Sequence, residues 1–352
     1  MDEEADAASR RPATIGDVAR LAGVATSTVS RALTVPGRVS EATRKRVVAA
    51  AAELSYVPSS HARSLVSGTT RTVALLVPDI ANPFYFGLIR GAQRQLRAAG
   101  YAQLLVDTEE SAEIEADTVD LMRKSADGVI LAASRLDERQ LATLAQRQPI
   151  VTVNRDVPGV PSVILDTPDG ARQALLHLRS LGHRRIVYVG GPADSWSSAR
   201  RWQALQATAA ALDVDLQQSG PWMPHAEAGA TAADAVVGTA TACIVFNDVL
   251  AFGMLRRLRE RGVRVPEDLS IVGCDDVFGA DFCDPPLTTI AAPIEEAGRV
   301  AVTMLLDTIA GTGSGRTRAI LPTYLRARRS SGPAADGHPA PVSRTAPSGR
   351  GS

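Results

Sequence analysis

Residues 14–33 read TIGDVARLAGVATSTVSRAL, and their spacing predicts two short helices joined by a tight turn. Thr14 and Asp17 have the form of a capping box. The hydroxyl can accept from first-turn amides, and the carboxylate sits at the positive end of the helix. Ile15, Val18, Ala19 and Ala22 recur at i, i+3, i+4 and i+7, which places them on one helical face. Gly16 within that helix costs up to about 1 kcal/mol relative to Ala. Gly23 ends the helix, being free to adopt positive φ. A second helix follows at once over 26–33 and buries Val29, Ala32 and Leu33. Pro36-Gly37 reads as a turn. Ser40 can cap a third helix with the stripe Val47, Ala50, Ala51 and Leu54, and Pro58 marks its end or lies just past it.

Charge is unevenly spread around this stretch. Residues 10–71 hold ten Arg or Lys against three acids (Asp17, Glu41, Glu53), hence about +7. The whole chain of 352 residues has 38 basic and 38 acidic side chains, so the remainder carries about −7. A basic end on an acidic body suits a protein that meets a polyanion at one end only. Two short helices with a tight turn, braced by a third, make a helix-turn-helix. Such a unit points the start of its second helix at base edges in the major groove. The candidates for base readout are Thr26, Ser27 and Arg31, since a guanidinium can pair with both guanine acceptors. Thr14, Ser30, Thr43 and Arg44 are candidates for phosphate contacts, which position a domain without reading sequence. A small helical bundle with a solvated basic face fits the periodicity equally well.

The motifs are more specific than the periodicity. Asp17-Val-Ala-x-x-Ala-Gly-Val24, Thr28-Val-Ser-Arg31, Val39-Ser40, Thr43-Arg44, Leu54, Tyr56, Pro58 and Ala62-Arg-Ser-Leu65 follow one another without a gap. Together they resemble the headpiece of the LacI/GalR family of bacterial transcription regulators. Ala25 departs from the family's usual Ser, so a cap or phosphate contact there is lost or passes to Thr26. The resemblance implies a disordered N-terminus over 1–13, a headpiece over 14–58, and a hinge helix and linker over 59–71. In the family the hinge is disordered off DNA and forms a short helix on the operator. Ala62 and Leu65 would then enter the minor groove, with Leu65 wedged between bases. A wedge costs a few kcal/mol of unstacking, offset by added contact. An ordinary linker whose Leu65 packs on the body is the plain alternative.

From Thr72 onward short apolar runs alternate with helical segments. Candidate strands are 73–77, 103–106, 128–131, 150–153, 163–165, 186–189, 243–246 and 270–272, with helices such as 86–99, 171–181 and 248–261 between them. Buried strands with helical crossovers mean parallel α/β layers, in which ligands sit past the carboxyl ends of strands. The residues found there are Pro78-Asp-Ile-Ala-Asn-Pro-Phe-Tyr85, Asp107, Asn154-Arg155, Gly190-Gly-Pro-Ala-Asp-Ser-Trp196 with Arg201, Asn247-Asp248 and Gly273-Cys-Asp-Asp276. Aromatic faces can stack on sugar C–H surfaces, while amides, carboxylates and guanidiniums meet hydroxyls.

Residues 72–329 resemble the effector domain of the same family, itself similar to periplasmic sugar-binding proteins. The fold class expected is therefore a small all-α helix-turn-helix headpiece plus an α/β body of two parallel-sheet subdomains. The resemblance places Phe84, Tyr85, Asn154 and Arg155 at the cleft from the first subdomain. It places Ser195, Arg201, Trp222, Asn247 and Asp275 there from the second, with Asp275 foremost. Ala292 stands where relatives often carry Gln. Three crossings would link the subdomains, one comprising 72–165 plus 291–316 and the other 166–290 plus 320–328. The body would dimerise, matching a pseudo-palindromic operator. Residues 330–352, rich in Pro, Gly, Ser and Ala and lacking leucine heptads, are expected to be disordered. Without a C-terminal zipper the expected assembly is a dimer.

Other classes fit poorly. Hydrophobic residues at 45% and charged residues at 22% suit an ordinary soluble domain. Residues 2–11 lack an apolar signal core, and no run nears the roughly 18 apolar residues of a membrane span. A cytoplasmic, membrane-free protein is expected. Cys243, Cys274 and Cys283 are odd in number and lack Cys-x-x-Cys spacing, which disfavours disulfides and zinc. His177, His183 and His225 show no metal spacing, and His61 falls in the hinge. Asp248 reads as the cap of the helix after it, and Asp276 as a cap or an Arg partner. Trp196 reads as core. The turn Pro78-Asp-Ile-Ala-Asn-Pro83 is not the glycine-rich turn of a dinucleotide site, and there is no P-loop, Gly-x-Ser-x-Gly or His-Glu-x-x-His. No enzyme activity, cofactor or metal is expected. The leading reading is a transcription regulator, expected to be a repressor, whose operator affinity responds to a sugar or sugar derivative. The runner-up is a plain sugar-binding protein.

Overall fold

The first helix forms where its capping box lies. In the computed structural model, which describes residues 13–34, 37–56, 69–312 and 317–334, helix α1 spans Ile15–Ala22. Thr14 Oγ1 accepts from the Asp17 amide at 3.3 Å, and Asp17 Oδ2 accepts from the Thr14 amide at 3.0 Å. Gly23 closes the helix at φ 63°, and the Val24 amide reaches back to the Ala19 carbonyl at 3.0 Å. Helix α2 spans Thr26–Thr34 and α3 spans Glu41–Glu53, the latter capped by Ser40. At Ala25 only the backbone carbonyl serves the next helix, accepting from Thr28 and Val29. Val18, Ala19, Ala22, Val29, Ala32, Val47, Ala50 and Ala51 form one buried cluster with Ile15, Leu33, Leu54 and Tyr56 around it. The three predicted helices and their stripes are thus the observed ones. Pro36, His61 and the hinge residues Ala62 and Leu65 lie outside the described residues.

The chain divides into two units after Thr70, the second being the body. Its elements in order are β1 Thr72–Val77, α4 Phe84–Ala98, β2 Ala102–Asp107, α5 Ala112–Met122, β3 Gly128–Ala132, α6 Glu138–Ala145, β4 Ile150–Val153 and β5 Ser162–Leu165. There follow α7 Thr167–Ser180, β6 Arg185–Val189, α8 Trp196–Leu212, β7 Asp215–Ser219, α9 Ala226–Val236, β8 Ala242–Val245, α10 Asp248–Glu260 and β9 Ser270–Asp275. The last are β10 Thr288–Ala291, α11 Ile294–Ala310, β11 Arg318–Leu321 and β12 Tyr324–Arg326. They build two six-stranded sheets, ordered β11-β5-β4-β3-β1-β2 and β12-β10-β9-β8-β6-β7. Every pairing is parallel except β10 with β12. The central strands are buried on both faces, which is why they read as continuous apolar runs. One face of the first sheet packs Leu75, Ile130 and Val163 on Leu88, Leu96, Val302 and Leu305. In the second, Val187, Val245 and Ile271 meet Val236, Leu250 and Met254. Cys243 and Cys274 are buried, and burial pushes the Cys243 thiol up to about 12.

Helices α9 and α10 touch backbone to backbone at Gly253, where an added Cβ would lie 1.9 Å from the Ala226 carbonyl oxygen. Replacing Gly by Ala inside a helix ordinarily stabilises by about 1 kcal/mol. Here the clash is with backbone, which cannot swing aside, and overpacking of that kind costs about 1–3 kcal/mol or more. Gly253→Ala is therefore expected to lower the thermal midpoint of the body. A midpoint equal to or above that of the parent would contradict this packing.

Two boundaries differ from expectation. Residues 318–321 belong to the first sheet, paired in parallel with β5, so the third crossing falls after Leu321 and not before Ile320. A short edge strand of alternating exposure carries little apolar signal. The body also continues past Arg329. Ser330 is fully buried; its hydroxyl donates to the Ile271 carbonyl at 2.6 Å and accepts from the Thr288 amide at 2.8 Å. Gly332 bonds with Ser270 and His183, and the Ala334 amide reaches the Leu181 carbonyl. Composition alone misses this because the polar groups find partners on a β-sheet end. Residues 335–352 lie outside the described ones. No helix among the described residues is long and apolar enough to cross a membrane.

Candidate functional site

The body's cleft lies where strands of both sheets end. The crossings at its base are tied together by hydrogen bonds: Asp166 amide to Leu321 carbonyl at 2.9 Å, and Thr323 Oγ1 to Asp166 carbonyl at 2.7 Å. A cavity of about 500 Å³, open mouth included, is lined from both lobes. Seven of the nine expected residues line it: Phe84, Tyr85, Asn154, Ser195, Arg201, Asn247 and Asp275.

Their geometry follows from the elements that hold them. Phe84 and Tyr85 open α4 and meet edge to face at 5.2 Å between ring centres. Asn154 sits just past β4 at φ 57°, and its Oδ1 accepts from the Leu165 amide at 3.0 Å. Its amide nitrogen is then the group available to a ligand. Ser195 caps α8, and Arg201 lies within the second turn of that helix. The Arg201 guanidinium donates to the Phe246 carbonyl at 2.6 Å and the Ser197 carbonyl at 3.3 Å, and stacks 4.6 Å from the Phe246 ring centre. Asn247 caps α10 through Oδ1, while its buried Nδ2 has no partner among the described residues. Asp275 ends β9 at φ 116°, partly open to the cavity and otherwise enclosed. Burial pushes its carboxyl up to about 7, with Arg201 pulling the other way. The cavity wall thus holds an acceptor that is costly to keep charged and a donor left unpaired, and a hydroxyl, which both donates and accepts, has the chemistry to meet either.

Two expected residues do not line the cleft. The Arg155 guanidinium turns to the Leu136 carbonyl, at 3.0 Å. Trp222 donates its indole N–H to Ser219 Oγ at 3.2 Å and packs beside the second lobe's core; Pro224 of the same loop reaches the cavity instead. Asp248 is not the cap of α10 but its first residue, buried and holding Thr289 Oγ1 at 2.6 Å and the Val277 amide at 3.0 Å. The cap had to be the residue before it, whose backbone is extended. Asp276 pairs with Arg326 at 2.9 Å and Arg328 at 2.6 Å. Trp196 is half-buried beneath Arg200 rather than core. Glu110, Ala133, Arg135, Thr167, Ser197 and Phe246 line the cleft without having been singled out, and Asn82 of the Pro78–Tyr85 stretch lines it too. Looking past the end of β3, as past the other strands, would have reached Ala133 and Arg135. Among the described residues no cluster of His, Cys, Asp or Glu could hold a metal.

On the helical unit, Thr26, Ser27 and Arg31 are exposed along α2. The phosphate candidates are partly engaged. Thr14 Oγ1 donates to Asp17, Thr43 Oγ1 lies 2.9 Å from Ser40 Oγ, and Arg44 pairs with Glu41 at 2.8 Å. Ser30 is half-buried. The exposed Arg44 pair is weak enough to exchange for a phosphate.

Known proteins match the chain over both of its units. The profile of bacterial regulatory proteins, lacI family, matches residues 14–59, and that of the periplasmic binding protein-like domain matches 175–331. The HTH-type transcriptional repressor CytR of Escherichia coli (strain K12) is 37% identical over 316 residues, covering 86% of this chain and 92% of that one. The lac repressor dimer bound to operator and the anti-inducer ONPF aligns at TM-score 0.80 with 27% identity, covering 92% of this chain and all of that one. The complex of transcriptional regulator CelR with cellobiose aligns at TM-score 0.67 with 31% identity, covering 91% and 100%. With helix-turn-helix, two-lobed body and a relative this similar over nearly its whole length, the chain belongs to the lacI family of bacterial regulatory proteins.

Proposed function

We propose that this protein is a transcriptional repressor that binds a pseudo-palindromic operator as a homodimer and is controlled by a small molecule, a sugar or sugar derivative, held between its two lobes. The observation that carries this reading is the cleft. Unpaired Asn247 Nδ2 and the enclosed Asp275 carboxyl face the aromatic pair Phe84–Tyr85 of the other lobe. Such a ligand favours one closure of the lobes and shifts the protein by its differential affinity for the two states. The sugar held by CelR and the operator held by the lac repressor support the same division of labour. A plain sugar-binding protein would not need the exposed Thr26, Ser27 and Arg31 on a basic helical unit.

The test is a thermal-shift screen of sugars and their derivatives, followed by operator binding with each hit. A duplex selected from random sequence supplies the operator. A stabilising ligand that changes operator affinity supports the reading; hits without any effect on DNA binding would contradict it. On the DNA side, Arg31→Ala should lose about 1–3 kcal/mol of discrimination at one base pair per half-site. Selection repeated with the variant checks this, and an unchanged base preference removes Arg31 from readout.

A further inference from the structure

Charge at the cleft separates classes of effector that shape alone admits. Arg135, in the loop after β3, has a side chain only 3% exposed. Its Nε donates to Glu110 Oε2 at 2.7 Å, its second terminal nitrogen meets the same oxygen, and the first donates to the Ala133 carbonyl at 3.2 Å. Arg201, the other cleft guanidinium, is committed to the Phe246 and Ser197 carbonyls and faces Asp275. Across the lobes Asp194 lies 3.8 Å from Arg135 Nε. Glu110 and Asp275 line the cavity with the two arginines, and Asp194, outside the lining, adds a further negative charge next to Arg135. Burial pushes the Glu110 carboxyl up and Arg135 holds it back. Arg135 already commits two of its five N–H donors to Glu110 and a third to Ala133, so a phosphate drawn to it would place a second anion beside a buried carboxylate. A hydroxyl or amide of the ligand meets no such barrier and can satisfy Asn247 Nδ2 and Asp275.

We propose that the Glu110–Arg135 pair, with Asp194, restricts the effector to molecules that carry no phosphate or carboxylate: free sugars or nucleosides, not their phosphate esters. This rests on the reading of the cleft as the effector site. Glu110 and Arg135 act on specificity by fixing the charge the ligand meets.

The test uses the full chain and matched probes: ribose, glucose, cellobiose and adenosine, each beside its phosphate ester, first by thermal shift and then by calorimetry. At least one neutral member should bind, with its ester about tenfold weaker or worse. In Glu110→Gln, which frees Arg135, the gap should narrow by about tenfold. Asp194→Asn, at a half-exposed position that does not threaten folding, should narrow it in the same direction. An ester binding as tightly as its parent overturns the proposal while leaving the cleft as the effector site. A gap unchanged in both variants also overturns it. Silence from every probe defeats the reading of the cleft itself, and the proposal with it.

Discussion

Asp275→Asn is expected to weaken effector binding by about 2–5 kcal/mol, thirtyfold or more, while leaving operator affinity in the absence of effector unchanged. The carboxyl lines the cleft, and the guanidinium that acts on it, Arg201, is committed to the Phe246 carbonyl. Asn preserves the shape but replaces an acceptor by an N–H donor that opposes a ligand hydroxyl. The same group gives a pH dependence. Its ordinary carboxyl value of 3.8 is raised to about 7 in the empty protein. A hydroxyl donating to it favours the ionised form, so binding should strengthen as pH rises towards that value and level off above it. One pH unit below, only about a tenth of the molecules carry the charge, so affinity at pH 6 should be about tenfold weaker than at pH 8. Stability of the empty protein runs the other way. A raised carboxyl contributes stability fully present below 3.8 and lost as pH rises through about 7. Calorimetric titrations at pH 6, 7 and 8 check this. A wild-type affinity independent of pH, or an Asn variant that still shows the slope, would contradict the role.

Leu65→Ala is expected to cost operator binding a few kcal/mol, on the order of a hundredfold, with little loss on non-specific duplex. The reason is that a wedge contributes only where the duplex is kinked to receive it. Phosphate contacts serve both kinds of DNA alike, and their strength falls steeply with salt. Specific and competitor duplexes must therefore be compared at one salt concentration. Equal losses on both would reject the wedge and return Leu65 to an ordinary linker role.

What the sequence disclosed follows from physics that acts locally. The headpiece helices were legible because cap, stripe and glycine stop agree at Thr14, Val18 and Gly23. The central strands were legible because burial on both faces leaves uninterrupted apolar runs. The edge strands β7, β11 and β12 were not, since they carry polar residues, and the buried β10 was missed as well because Thr288 and Thr289 leave no apolar run there. Seven cleft residues could be named because strand ends converge in such a fold. Glu110 and Arg135 could not be paired from sequence: 25 residues and a helix separate them, and only the sheet order, with β2 and β3 flanking β1, brings their loops together. Arg155 failed for a related reason. It follows a cleft residue directly, but the left-handed turn at Asn154 sends its side chain to the Leu136 carbonyl.

The central claim is that one protein couples a cleft ligand to operator binding. Coupling of two binding equilibria is reciprocal. The most direct measurement is therefore the affinity of the identified effector for the full-length protein with and without saturating operator duplex, beside operator affinity with and without effector. The account predicts that both affinities change by the same factor, in the range of about 5–150-fold, and that Asp275→Asn removes the effect of effector concentrations that saturate the parent. Effector affinity that is the same on and off the operator would contradict it.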